Sequence, residues 1–114
     1  GVPLGAMSHA VQAHAEDHGF GVVRQFAGHG IGAKLHEEPH VPNYGGPSDG
    51  PELRAGMALA IEPMVNAGTH RVRTLDDGWT VVTDDGLPSA HFEHTVLVLS
   101  DGIEILTNWD APAA

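Results

Sequence analysis

The segment MALAIEPMVN (57–66) is the most apolar stretch of the chain, and an ionisable residue, Glu62, stands in its middle. The near-continuous run of apolar side chains predicts a central strand buried on both faces. A lone ionised carboxylate in such a strand is very unfavourable, so the fold must supply a cation, a set of donors or a proton. Pro63, directly after it, removes a ladder donor and fixes local geometry, as happens where a strand bends at a site. AHFEHTVLVL (90–99) reads as a second core strand and raises the same problem, because the face of Glu93 also carries Thr95, Leu97 and Leu99. A structural salt bridge is one resolution, but the chain has only five Lys and Arg, and none falls in either strand. A metal ion shared by the two acids is the better reading.

His29, set between glycines in GHGIG (28–32), is the natural third ligand. Three glycines in five residues imply a backbone in unusual geometry or one closely approached by something else. One His and two carboxylates leave open positions on Zn²⁺, Mn²⁺, Fe²⁺ or Co²⁺, which suits Lewis-acid activation of water. His36 lies past a turn, better placed to touch a substrate or a developing oxyanion than to act as a ligand; the alternative is an ordinary surface histidine. It opens HEEPH (36–40), which spells the H-E-x-x-H of zinc-protease helices. Pro39 argues against that helix, since an interior proline costs about 3 kcal/mol, and both flanks are rich in turn residues.

The remaining pattern is α+β within one domain, 1–114, a length that supports one modest core. Leu4, Met7, Val11 and Ala15 recur at helical spacing over 4–18, with Gly19 as the stop. His14 and His18 lie four apart on that helix and read as surface histidines. FGVVRQF (20–26) predicts a short strand, and 43–56 a loop rich in Gly and Pro. VRTL and WTVVT flank Asp76-Asp77-Gly78 as a hairpin, a turn at Asp101-Gly102 precedes a short strand IEIL, and the tail NWDAPAA reads as frayed. The formal net charge of −10 disfavours nucleic acid and anionic membranes as partners. No apolar run is long enough to span a bilayer, and the first residues do not read as a leader. The absence of cysteine rules out disulfides and thiolate sites and fits a reducing compartment. The chain opens on Gly rather than Met, so a processed or partial sequence is expected.

Three motifs in order, GHGIGAKLHEEPHVPNYG, LRAGMALAIEPMVNAGT and DGWTVVTDDGLPSAHFEHTVLVLSDGIEILT, resemble the second half of a type I methionine aminopeptidase, over about Leu4 to Thr107. Prolidases and aminopeptidase P share the GHG, HE-P and EP elements, whereas DGWTVVT followed by SA-FEHT points to the methionine enzymes. The resemblance implies the C-terminal half of a pita-bread fold, with one helix and a mostly antiparallel curved sheet. It implies two divalent ions in the complete enzyme (Co, Mn, Fe or Zn), with His29, Glu62 and Glu93 as ligands and Glu93 bridging. His36 would contact the substrate and stabilise the tetrahedral intermediate, Glu62 would also move protons for the attacking water, and Trp79 would line the methionine pocket. The substrates implied are the N-termini of nascent polypeptides.

The family draws two further ligands, both aspartates, from a first half that this sequence lacks. Asp49, Asp76, Asp77, Asp84 and Asp85 fall in loops and turns and do not replace them. Leu35 stands where a bulkier apolar residue is common, and His91 where Gln is usual, so His91 adds a ligand-like side chain. The chain alone is expected to hold at most one ion weakly, to lack appreciable peptidase activity, and to self-associate or require a complementary half. A metal-free pita-bread binding module, a prolidase-like enzyme and a split enzyme are the rival readings.

Overall fold

The computed structural model describes residues 1–107; the tail NWDAPAA lies outside them. Helix α1 (Leu4–Asp17) follows the predicted face, with Leu4 and Ala15 buried and Met7 and Val11 half-buried. Its first amides are not left bare: Leu4 N–H donates to the Pro51 carbonyl and Gly5 N–H to that of Asp49, both at 2.7 Å. A methyl group at Gly5 would run into the Gly46 carbonyl, so this contact requires glycine. Gly19, at φ +81°, ends the helix as expected.

Ten short strands follow: β1 (Gly21–Val22), β2 (Gly28–Ile31), β3 (Glu37–Val41), β4 (Ala58–Ile61), β5 (Met64–Asn66), β6 (Val72–Thr74), β7 (Val81–Thr83), β8 (Ser89–His91), β9 (His94–Val98) and β10 (Ile103–Ile105). Among the described residues they form a five-stranded antiparallel sheet, β10-β9-β4-β2-β3, a three-stranded one, β1-β5-β8, and the hairpin β6-β7. After His36, which ends the preceding bend, EEPHV is strand rather than helix, in line with the objection raised by Pro39; the Glu38–Pro39 peptide is cis.

Two expectations need correction. MALAIEPMVN is not one strand but two, β4 and β5, in different sheets, because Pro63 has no N–H with which to continue the ladder. AHFEHTVLVL divides in the same way at Phe92-Glu93 into β8 and β9. Burial on both faces holds for β4, where adjacent Leu59 and Ala60 are both buried, and fades in β5. Glu93 is exposed, and the core side chains of β9 are Val96 and Val98, which have the opposite parity to Glu93, Thr95, Leu97 and Leu99.

The register explains the shared break. Ile61 pairs with His94 before the gap and Met64 with His91 after it, so the offset is unchanged and Glu62 stands opposite Glu93. Phe92 N–H still reaches the Pro63 carbonyl at 3.1 Å. The offset persists through Ala67 with Pro88, Arg71 with Asp84 and Thr74 with Val81. Residues 57–98 are therefore one antiparallel ribbon with local gaps, folded back at the turn around Asp77.

Beneath the five-stranded sheet, Leu4, Val41, Leu53, Leu59, Val96 and Val98 form the core, with Met7, Met57 and Ile61 packed against it. Leu59, 1 % exposed on the central strand, is the side chain whose loss leaves the largest void. We expect Leu59→Ala to lower unfolding stability by about 2–5 kcal/mol, read as a lowered denaturation midpoint at unchanged slope.

Candidate metal centre

The sheet order β9-β4-β2 sets three chain segments side by side. His29 pairs with Ala60, and Ala60 pairs with Thr95, so these three share one face. Glu62 lies two residues beyond Ala60 and Glu93 two before Thr95, which returns both to that face. The glycines flanking His29 permit this packing: a methyl group at Gly28 would collide with the Ala60 carbonyl, and one at Gly30 with the Glu38 carbonyl. Close approach of neighbouring strands, not positive φ, explains these glycines. One ligand atom from each of His29, Glu62 and Glu93 lies within 4.8 Å of the others, the one such group among the described residues.

Electrostatics then demands a positive centre. The Nδ1 of His29 is 3.0 Å from the Gly30 carbonyl oxygen, which can only accept, so Nδ1 carries the proton. In the neutral ring this leaves the Nε2 lone pair facing Glu62 Oε2 at 3.0 Å. Two acceptors at that distance repel each other unless a proton or a cation lies between them. Directly opposed like charges on neighbouring strands are likewise destabilising, and Glu62 and Glu93 form such a pair. No Lys or Arg pairs with either acid among the described residues. One imidazole and two carboxylates suit a divalent ion of borderline hardness, with the Gly30 carbonyl orienting the imidazole from behind. The acids are less enclosed than expected: Glu62 keeps 18 % of its side-chain surface and Glu93 is exposed.

His36 is exposed, yet its ring lies 3.9 Å from that of His29, centroid to centroid, tilted by 37°. The structure thus brings His36 to the trio. Both line an open cleft of about 690 Å³ with Gly28, Lys34, Glu37, Glu38 and His40. His91 reaches toward the other oxygen of Glu62, with Nε2 3.7 Å from Oε1, beyond hydrogen-bond range and outside the ligand trio. His14 and His18 are a surface pair on α1, as expected. Trp79 is 87 % exposed at the tip of the ribbon, beside a separate cleft walled by Phe26, Met64 and Val81.

One residue that supports the centre escaped the sequence reading. Asn43, fully buried, donates from Nδ2 to the Glu62 carbonyl at 3.3 Å and so ties the 43–56 loop to the break. An Asn after VP in a turn-rich segment carries no signal of that contact. In the turn expected at Asp76-Asp77-Gly78, Asp77 Oδ1 accepts from the amides of Trp79 (2.9 Å) and Thr80 (2.8 Å), an Asx turn.

Replacing His29, Glu62 or Glu93 by Ala is expected to weaken Co²⁺ or Mn²⁺ binding by more than the roughly 10–100-fold typical of losing an outer partner, measured by calorimetric titration. The Thr80 hydroxyl and the Trp79 and Thr80 amides hold the Asp77 carboxyl below its ordinary value of 3.8. Its contribution to the turn is therefore complete above about pH 4 and is lost as pH falls through the depressed value. Carboxyl NMR should show Asp77 titrating below 3.8, with the Trp79 amide shift moving over the same range.

With this geometry in hand, similarity to known proteins is informative. The profile of metallopeptidase family M24 matches residues 1–100. The chain is 63 % identical over 101 residues to a methionine aminopeptidase of Clostridium perfringens, covering 89 % of this chain and 41 % of the relative. It is 55 % identical over 107 residues to methionine aminopeptidase 1 of Bacillus subtilis, covering 94 % and 43 %. The crystal structure of a methionine aminopeptidase from Thermotoga maritima superposes with a TM-score of 0.90 at 55 % identity, over 94 % of this chain and 43 % of that one. The corresponding enzyme of Rickettsia prowazekii gives 0.90 at 46 %, over 95 % and 44 %. The chain thus spans about two fifths of the length of these relatives, and its fold is that part of the methionine aminopeptidase architecture, the pita-bread fold. It belongs to metallopeptidase family M24.

Proposed function

We propose that this chain is the C-terminal part of a methionine aminopeptidase, acting in the cytoplasm on polypeptides that begin with Met followed by a small residue. The observation that carries the reading is the convergence of His29, Glu62 and Glu93 at a break shared by two strands. In the complete enzyme two divalent ions are held, the further ligands coming from segments outside this chain. An ion at this centre supplies Lewis-acid polarisation and activation of water.

The chain's own residues take the other roles. Glu62, beside the attacking water, accepts its proton and passes it to the leaving amine. His36 donates a hydrogen bond to the carbonyl oxygen as it gains negative charge. Trp79, with Phe26 and Met64, forms an apolar wall for the methionine side chain. Met64 lies two residues beyond Glu62, which links that wall to the centre through the backbone.

Exposure supports a part that needs covering. Leu35 (73 %), Trp79 (87 %) and Phe92 (65 %) lie open, more apolar surface than a finished active-site face would show. A metal-free binding module has less support, because all three ligand positions expected in this part are intact and convergent.

The chain alone, supplied with Co²⁺ or Mn²⁺, is expected to bind an ion weakly and to give no turnover of a Met-Ala peptide. Joined to the missing segment of the Clostridium perfringens relative, it should cleave that peptide, with His36→Ala lowering kcat by about 10²–10³-fold. Rapid cleavage by the isolated chain would contradict the proposed division of ligands, and an inactive joined enzyme would sink the reading.

A further inference from the structure

His36 projects from an exposed five-residue connection, 32–36, between β2 and β3. Such a segment has little packing to hold a side chain in one place, yet the His36 ring rests against that of His29. The neighbouring residue supplies the restraint. Glu37 Oε2 accepts a hydrogen bond from the backbone N–H of Lys34 at 2.6 Å, closing a ring that encloses Leu35 and His36. Gly32 N–H donates to the Lys34 carbonyl at 3.1 Å and tightens the same turn from the other side. At its other end Glu37 is fixed by pairing with Gly30, beside His29.

Gly32 has a specific part in this. A Cβ built there would lie 2.5 Å from Glu37 Oε1 and 2.9 Å from its carboxyl carbon, and the three nearest atoms are all of that side chain. Glycine therefore leaves the notch that the carboxylate occupies. A methyl group there would meet the carboxylate first and force it to shift.

From this geometry we infer that Glu37 is a positioning residue: its carboxylate, seated in the notch left by Gly32 and bonded to the Lys34 amide, holds the His36 ring against His29. A hydrogen bond to an ionised acceptor is about twice as strong as a neutral one, which suits a restraint exposed to water. The clamp is a statement about placement, and its catalytic consequence rests on the role proposed above for His36.

The test uses the 114-residue chain without metal and reads nuclear Overhauser contacts between the His29 and His36 rings. Glu37→Ala and Gly32→Ala should each abolish them while the backbone contact between His29 and Ala60 persists. Glu37→Gln, which keeps an acceptor oxygen, should retain them. The double variant should lose nothing beyond either single change, as expected for two residues acting through one contact. If Glu37→Ala disrupts the fold, Gly32→Ala decides, since it removes no atom of Glu37 and acts only by displacing its carboxylate. Persistence of the ring contact in Gly32→Ala, with the carboxylate displaced, overturns the clamp. Loss of the contact with peptide turnover of the joined enzyme unchanged would confirm the clamp and remove the role assigned to His36.

Discussion

Like charge facing like charge is the constraint around which this structure is arranged. Glu62 and Glu93 stand opposite each other at the gap shared by two paired segments, and Nε2 of His29 faces the same spot. No Lys or Arg neutralises the pair among the described residues. The break at Pro63 and Phe92-Glu93 opens the ladder at this level, so the acids reach water instead of the core. An apolar strand can carry a carboxylate because the strand stops there and resumes in a second sheet.

That arrangement marks the limit of what the residues alone revealed. The trio was legible because an acid in an apolar run needs a partner, and only five basic residues were available. The helix, the Asp77 turn and β10 were legible from period and turn residues. The two long strands were misread as continuous because apolar periodicity does not register a missing N–H. Glu93 was assigned to the core because 90–99 is apolar at both parities, and alternation then cannot say which parity faces inward. Asn43 and Glu37 were invisible for a different reason: each acts through one polar contact to backbone, and polar loop residues are common whether or not they make such contacts.

The glycines of 28–32 divide the work at the centre. Gly28 and Gly30 let the carbonyls of Ala60 and Glu38 close in on the strand on either side of His29. Gly32 makes room for a side chain instead, and through it shapes the connection that bears His36. Three residues of one type thus serve two purposes, strand approach and loop closure. Neither requires the left-handed backbone that glycine also permits.

The ribbon from 57 to 98 also bears on how the centre comes into being. Once the turn around Asp77 has closed, each later pairing closes only a small additional loop, so strand contacts can propagate from a local start. On that route the two acids would meet by zippering rather than by a search between distant segments. His29 lies on a strand outside the ribbon. An ion that required all three donors would tell the ribbon alone from the finished sheet, because only the sheet brings His29 to the two acids.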